Sequence, residues 1–338
     1  MPTAKTRPST TRSKWERLPT EAINVASTSI DTASVSEIID LMTSEDRKVV
    51  TAVHREKPRI THGVEIIAQS LRKGGRVVFV GAGTSGRLGV VEATEMGPTF
   101  GVPPHVIQAI MAGGKEAVFQ PKEGVEDHYE DGIRALTRLR ISRRDVIIGV
   151  SASGMTPFVR GALTSARKVE AKIIFVTACK MPDLETFVDL VVAPVVGPEV
   201  IAGSTRLKAG TATKMVLNML TTIAMVRVGK TYGNLMVDVQ TGSEKLKDRA
   251  RRIISTVTGL DYDEAGQLLR RARWNVKVAI VMERSGLNYA RATGALKRAH
   301  DSVRLALGEG SAATRPETKG RKSIAKRKSG RHTSSAAV

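Results

Sequence analysis

Clustered carboxylates are the feature of this sequence that could perform chemistry most directly. Glu92 and Glu95 are three residues apart, and Glu123, Glu126 and Asp127 follow further along the chain. Residues three apart share one face of a helix. Two carboxyl groups held in different protonation states can serve as a general acid and a general base. A glutamate on a helix is more commonly a solvated surface residue, and the residue types alone leave Glu92 and Asp127 nearly as good candidates as Glu95 and Glu126.

Two turns rich in glycine and small hydroxyl residues, at 81–87 and 151–156, indicate an anion site. Each turn follows an apolar stretch and precedes a predicted helix. The free amides at a helix N-terminus favour an anion, and nearby hydroxyls add neutral hydrogen-bond donors. Turns at the carboxyl ends of parallel strands converge on one crevice, and their natural ligand is the phosphate of a small polyol. The predicted contacts are Gly83, Thr84, Ser85, Ser151, Ser153, Gly154 and Thr156.

The first turn also has the form Gly81-x-Gly83-x-x-Gly86, which is the fingerprint of a dinucleotide site. Such a site requires an acidic residue about 20 positions further on, to hold a ribose hydroxyl. Residues 106–114 occupy that window and contain no carboxylate. The pair of turns therefore favours a phosphate over a dinucleotide.

A long helix predicted over 204–228 supplies two further candidate contacts. Lys208 could meet a phosphate or a carboxylate, although a helix-surface charge explains it equally well. Ser204 is in the first place a helix cap and in the second a possible ligand contact. We expect no metal site, because the six histidines lack metal-ligand spacing and the one cysteine, Cys179, cannot form a cysteine cage.

The elements that must position these residues alternate between strand and helix. Periodicity predicts an α/β fold with a doubly wound, mostly parallel sheet. Residues 20–73 are predicted helical, with a Ser34–Glu37 capping box and a second cap at Ser44. The predicted strands are 76–80, 106–111, 146–150, 172–177 and 190–196.

Composition and charge divide the chain into four predicted parts. The net charge is +20, and half of it lies in the tails 1–18 and 309–338, which are rich in Ser, Thr, Lys and Arg and are predicted to be disordered. Between them we predict a phosphate-binding sheet domain at 19–242 and a small helical bundle at 243–308. The tails lack interleaved aromatic residues, so nucleic-acid binding is expected only weakly and only through them.

No apolar run approaches the length of a membrane helix, and the N-terminus is not a signal peptide. We therefore expect a soluble, cytoplasmic protein without a membrane partner.

The motifs around these residues also resemble a known family. The chain is similar to the bacterial N-acetylmuramic acid 6-phosphate etherases, which have the sugar isomerase (SIS) fold, over about residues 18–308. The similar segments are LPTEAINVAS (18–27), GAGTSGRLGVVEATEMGPTFG (81–101), EGVED (123–127), SASGMTPFV (151–159), GSTRLKAGTATKMVLNML (203–220) and YGNLMVDV (232–239).

The resemblance implies cleavage of the D-lactyl ether of N-acetylmuramic acid 6-phosphate, giving N-acetylglucosamine 6-phosphate and D-lactate in cell-wall sugar recycling. By match to the family motifs, Glu95 falls on the general-acid position and Glu126 on the second catalytic carboxylate, the expected base. The resemblance further implies that the protein is a homodimer and works without a metal or nucleotide cofactor.

The sequence departs from the family pattern in two places. Family members commonly read DASECPPT where this chain has EATEMGPT (92–99), and Arg where it has Met155. Two other functions use the same fold: an aldose–ketose phosphosugar isomerase, and a phosphosugar-sensing regulator resembling the glucokinase regulatory protein.

Overall fold

A five-stranded parallel sheet forms the centre of the chain, which the computed structural model describes over residues 18–309. The strand order is β2-β1-β3-β4-β5, and all neighbouring strands run parallel. The strands are β1 (Val77–Gly81), β2 (Ile107–Met111), β3 (Val146–Val150), β4 (Lys172–Val176) and β5 (Leu190–Val192). The predicted α/β, doubly wound parallel fold is confirmed, although the last strand ends four residues earlier than predicted.

Helices cover both faces of this sheet. They are α1 (Val35–Arg55), α2 (Lys57–Arg72), α3 (Gly83–Phe100), α4 (Glu116–Phe119), α5 (Tyr129–Arg138), α6 (Pro157–Lys168) and α7 (Lys208–Arg227). One apolar core lies under α1, α2, α3 and α7, and a second lies under α5 and α6. Strands β1 and β3 are completely buried between these layers, which explains why their sequences are continuous apolar runs.

The strand order creates a topological switch between β1 and β3. The chain passes from β1 to β2 on one side and then returns to place β3 on the other side of β1. In open sheets of this kind, ligands bind outside the carboxyl ends of the strands at the switch point. The two turns singled out by sequence leave from these two strands.

The N-terminal helices differ from the sequence prediction at one point. The Ser34–Glu37 capping box is present at the start of α1. The predicted cap at Ser44 is wrong, because α1 continues through it and buries Glu45, whose carboxylate pairs with Lys208. The second helix starts instead at Lys57. Pro58 lies in its first turn, where proline is favoured because it has no N–H group that would lack a partner.

Residues 244–309, the helical unit, form five helices around their own apolar core. They are α8 (Glu244–Thr258), α9 (Tyr262–Arg271), α10 (Val276–Ser285), α11 (Tyr289–Arg298) and α12 (Val303–Ala306). The predicted tails fall almost entirely outside the described residues. No helix within 18–309 is long and apolar enough to cross a membrane.

The segment from Gly259 onward contains a structural duplication. Left-handed glycines end α8 and α10 at Gly259 and Gly286, 27 residues apart. Side-chain caps at Asp261 and Asn275 recur at Asn288 and Ser302 with the same offset. Positive-φ pairs at 273–274 and 300–301 complete the correspondence. The helical unit therefore consists largely of one helix-turn-helix pattern that occurs twice, first as α9 and α10 and then as α11 and α12.

Asp238 joins the helical unit to the sheet domain. Its carboxylate lies 2.9 Å from Lys230 Nζ, just beyond α7, and 2.5 Å from Lys277 Nζ on α10. Burial lowers the pKa of Lys277, although Asp238 opposes the shift. The backbone carbonyl of Asp238 also approaches Gly101, the left-handed residue that ends α3.

The close contact between Asp238 and Gly101 can be tested by substitution. A Cβ added to Gly101 would lie 2.4 Å from the Asp238 oxygen, whereas one added to Gly259, a left-handed helix cap of the same kind, meets no atom within 4 Å. Gly259→Ala should cost about 1 kcal/mol for the left-handed backbone, and Gly101→Ala should cost clearly more because a clash is added. Chemical denaturation of both variants measures this, and equal losses would contradict the contact.

Candidate active site

The two predicted turns lie side by side at the carboxyl end of the sheet. Gly81, the last residue of β1, is paired with Val150, the last residue of β3. The first turn is tight: a Cβ on Gly81 would lie 2.7 Å from the amide nitrogen of Gly86, so only glycine fits there. Gly83, Thr84 and Ser85 form the first turn of α3, where Gly83 is exposed and the two hydroxyl residues are half-buried.

The second turn connects β3 to α6 through residues 151–156. Ser151 is buried, and its hydroxyl donates to the carbonyl oxygen of Gly154, which closes the turn. Ser153 and Gly154 are half-buried at the tip. Thr156 is the residue before α6, but its hydroxyl does not cap the helix. Its oxygen is one of the few buried side-chain atoms without a hydrogen-bond partner among the described residues.

Helices α3 and α6 both begin without a side-chain acceptor for their first amides. Helix α7 is different, because the carboxylate of Glu199 accepts hydrogen bonds of 2.9 Å from the backbone amides of Lys208 and Ala209. A protein carboxylate thus already satisfies the N-terminus of α7. The N-termini of α3 and α6, which follow adjacent strands, retain their capacity to bind an anion.

The start of α7 corrects two sequence predictions. The helix begins at Lys208 rather than 204, because residues 201–207 form tight turns, with the Leu207 amide donating to the Ser204 carbonyl. Ser204 therefore lies four residues before the helix and does not cap it, whereas Gly210, in the first turn of α7, faces the methyl group of Thr84. Lys208 does not join the turns: it is buried, and its ammonium group donates to the carboxylate of Glu45.

The pair formed by Lys208 and Glu45 links α7 to α1. Burial alone would raise the pKa of Glu45, but hydrogen bonds from Lys208 and Lys48 outweigh burial and lower the pKa to about 2. The contact joins residues 163 positions apart in sequence, which is why the sequence pattern did not reveal it.

The carboxylates of α3 point in different directions. Glu92 is buried, with the hydroxyl of Thr221 and the amide of Asn218 donating to its two oxygens. Burial raises the pKa of Glu92, against the effect of these two hydrogen bonds. Glu95, one turn later, is exposed. The helix therefore exposes Glu95 to solvent and keeps Glu92 in the interior.

Glu126 lies in a short helical turn (Val125–Asp127) that follows the left-handed Gly124 and packs against α6. It is half-buried, whereas its acidic neighbours Glu123 and Asp127 are exposed. The loop leading to it is fixed to α3 by Arg87, whose guanidinium donates to the carbonyls of Ala117 and Val118 at 2.8 and 2.9 Å. Glu126 is thus the most sheltered acid of its cluster.

Several residues that build this region were not predicted from the sequence. Thr20 in the N-terminal segment is buried, and its carbonyl accepts from the Gly203 amide at 3.2 Å, so residues 18–27 cover the loop before α7. Asn24 donates to the Pro198 carbonyl beside it. Glu199 had a sequence signal, because it is the one acid in an otherwise apolar stretch (190–202) just before a helix.

Within residues 18–309, no group of three or more His, Cys, Asp or Glu side chains is arranged to hold a metal ion. The functional groups that the described residues supply at the carboxyl end of the sheet are hydroxyls and the uncapped helix N-termini.

Comparison with known proteins places this arrangement in a family. The N-acetylmuramic acid 6-phosphate etherase of Salinibacter ruber is 52% identical over 266 residues, which is 78% of this chain and 86% of that protein. The corresponding etherase of Rubrobacter xylanophilus is 47% identical over 293 residues, covering 87% of this chain and 97% of its relative. The chain belongs to the N-acetylmuramic acid 6-phosphate etherase family. The resemblance stated from the motifs is confirmed.

A family model for the glucokinase regulatory protein N-terminal SIS domain also matches, over residues 59–167. This range contains β1 to β3, both turns, Glu95 and Glu126. The family assignment rests on the longer matches to the two etherases, which extend beyond the sheet into the helical unit.

The buried ion pair behind the site provides a stability test. Lys208→Met leaves Glu45 with Lys48 alone, and we expect a loss of about 3 kcal/mol, since removing one partner strands a buried charge. Lys214→Met replaces a solvent-exposed lysine of the same helix and should change stability by at most about 0.5 kcal/mol.

The same ion pair makes the stability of the fold depend on pH in the acid range. The low pKa of Glu45 contributes stability that is present above about pH 4.5 and is lost as the pH falls toward about 2. Urea unfolding between pH 7 and pH 2.5 should show this loss in the wild type and a smaller loss in Lys208→Met. Parallel curves for the two proteins would contradict the pairing.

Proposed function

We propose that this protein cleaves the D-lactyl ether of N-acetylmuramic acid 6-phosphate to give N-acetylglucosamine 6-phosphate and D-lactate. The observation that carries the proposal is membership of the etherase family, at 46–52% identity over about four-fifths of the chain. The uncapped starts of α3 and α6 add support, because they offer an anion site at the beginning of the helix that carries Glu95.

The sugar phosphate is proposed to bind across the turns that start α3 and α6. Both helix N-termini lack a side-chain acceptor and leave adjacent strands. A phosphate there would accept hydrogen bonds from first-turn amides and from the hydroxyls of Thr84, Ser85, Ser153 and Thr156. Thr156 is the clearest of these donors, since its buried hydroxyl otherwise has no partner.

The proposed reaction is an elimination followed by a hydration. When the sugar ring opens, the C2 proton becomes acidic because it is α to the C1 carbonyl. Glu126 takes this proton, the C3–O bond breaks, and Glu95 donates a proton to the departing lactyl oxygen. Water then adds to C3 of the double bond, giving its proton to Glu95, while Glu126 returns a proton to C2.

The exposures of the two acids suit these roles. Glu126 is half-buried beside α6, so it is less hydrated than an exposed acid, whereas Glu95 is exposed on α3 and accessible to a leaving group. Lys208, which was expected to contact the substrate, is not retained in this proposal because its charge is already paired. Ser204, in the loop before α7, is kept as a proposed substrate contact.

Two broader expectations also remain proposals. The protein is proposed to form a homodimer and to act in the cytoplasm, where phosphorylated sugars are found. Exposed apolar side chains support self-association: Ile23, Val25 and Val35 are 71%, 83% and 75% exposed near the N-terminus. Nucleic-acid binding through the basic tails concerns residues outside the described part of the chain.

A regulator that senses a phosphosugar is the second candidate, favoured by the match to the glucokinase regulatory protein SIS domain. A sensor needs the two turns but has no use for a sheltered acid such as Glu126. Binding of sugar phosphate without any product would distinguish it from an etherase.

Replacing the acids tests the proposed roles. Glu95→Gln and Glu126→Gln should each lower lactate release by at least about 10²-fold, because general acid and base catalysis are worth that much. Binding of the sugar phosphate, measured by calorimetry, should remain. Glu123→Gln, an exposed acid of the same loop, is the matched control and should keep its activity. Full activity in both site variants would refute the assignment.

A further inference from the structure

The first ten residues of α1 (35–44), which we call the arm, include no buried residue. Val35 and Ile39 are 75% and 58% exposed, and Ile38 and Met42 are half-buried. These four apolar residues have the spacing of one helix face, which in a folded protein is normally covered by another element. Within the described part of the chain, the arm therefore has an apolar face that its own fold leaves largely uncovered.

The other end of α1 borders an apolar groove. The groove has a volume of about 530 Å³ and lies where α1 ends, α2 begins and the second half of α7 passes. Its walls are mainly apolar: Val50, Val53, Ile60, Val64, Met215 and Met219. Its rim carries three basic residues and one acid: His54, Lys57, Arg227 and Glu65. Exposed Ile223 and Val226 extend the apolar surface along α7. A single chain thus carries both an uncovered apolar helix and an open apolar groove.

The spacing along α1 relates these two surfaces. Ile39 and Val50 are eleven residues apart, which is close to three helical turns, so they lie on the same face. Val35 and His54 extend that face by four residues at each end. The four positions are symmetric about the midpoint between residues 44 and 45. If two α1 helices pack antiparallel about a twofold axis, Ile39 faces the partner's Val50 and Val35 faces the partner's His54.

The charges of this region have the same polarity. Residues 18–46 contain six acids and no Lys, Arg or His, whereas residues 47–59 contain five Lys or Arg and one acid. The dipole of a helix favours this order only in its first and last turns. Asp40 and Arg47, however, are exposed residues in the interior of α1. They are seven residues apart, about 10 Å along the axis, which is too far for them to pair within one chain.

We propose that two copies of this chain associate through α1, antiparallel about a twofold axis, so that the arm of each copy covers the apolar groove of the other. A twofold contact requires one surface to be complementary to itself. The α1 surface meets this requirement, because its acidic apolar arm and its basic apolar groove lie at opposite ends of the same helix. Asp40 of each copy then lies opposite the partner's Arg47.

This inference rests on the homodimer in the proposed function and names its interface, but it requires no particular reaction. A second copy is the occupant that the observations favour, since it supplies both the apolar and the charged complement from residues already described. Glu45, near the midpoint of the contact, is the residue that pairs with Lys208 at the start of α7. The interface therefore lies on the helix that supports α7.

The apolar part of the interface is tested by sedimentation equilibrium of the full-length protein. The wild type should have twice the chain mass of 36.4 kDa. Ile39→Lys should raise the Kd of the dimer at least about 100-fold, because each dimer then buries the added charge twice. Ile39 is largely exposed in the single chain, so the circular dichroism spectrum should stay that of the wild type. Leu305→Lys, at a 45% exposed position on α12, is the matched control and should keep the wild-type Kd.

A charge exchange tests the antiparallel arrangement. Asp40→Arg and Arg47→Asp each place like charges opposite one another twice in the dimer, and each should raise the Kd about tenfold at low salt. The two substitutions together restore opposite charges across the axis, so the Kd should return to within about threefold of the wild type. A double variant that associates as weakly as the single ones would overturn the antiparallel arrangement.

The mass of the wild type decides the interface as a whole. A monomeric wild type, or an Ile39→Lys protein that dimerises as tightly as Leu305→Lys, would overturn the inference. Lactate release measured on the same samples separates it from the proposed reaction. A dimer that releases no lactate would refute the reaction and leave the interface in place, whereas a monomeric wild type that releases lactate would refute the interface alone.

Discussion

Two helices that begin at the ends of adjacent parallel strands, with no side chain capping their first amides, are the constraint on which the site depends. Helices α3 and α6 both start in this way, after β1 and β3. Uncapped N-termini carry partial positive charge and unsatisfied donors, so an anion bound between them is favourable. The contrast with α7 is informative, because Glu199 satisfies its first amides within the protein. The starts of α3 and α6 thus place two adjacent sets of uncapped amides at the switch point of the sheet.

The surrounding structure holds these helix starts in place by contacts that do not involve Glu95 or Glu126. The ion pair of Lys208 and Glu45 ties α7 to α1 behind the site. The carboxylate of Glu92 ties α3 to the same helix. At the far end, α3 stops against Asp238, which is paired with Lys277 of the helical unit. Polar contacts near the middle of α3 and at its C-terminal end therefore hold the segment that carries Glu95.

The sequence predicted the parts of the fold that depend on local pattern. The apolar runs at β1 and β3 have the signature of buried parallel strands, and the glycine-hydroxyl turns mark where they end. The family motifs added the choice of Glu95 and Glu126 over Glu92 and Asp127, which residue types alone left open. The structure now separates Glu92 from Glu95 by burial.

Contacts between residues distant in the chain could not be predicted in this way. Lys208 was expected at a ligand, but its partner Glu45 lies 163 residues away and no helical periodicity links them. Ser44 looked like a helix cap because a serine followed by acids has that local form, yet packing of α1 overrides it. The duplicated pattern in the helical unit became visible only from the recurrence of backbone conformations.

The protein is proposed to catalyse elimination and rehydration of a phosphorylated lactyl ether, with Glu95 and Glu126 as its acid and base. The most direct measurement is incubation of the purified protein with N-acetylmuramic acid 6-phosphate in H₂¹⁸O, with mass spectrometry of both products. The account predicts D-lactate without label and N-acetylglucosamine 6-phosphate with one ¹⁸O at C3. Label in the lactate would indicate cleavage on the other side of the ether oxygen, and binding without products would indicate a sensor; either result would contradict the account.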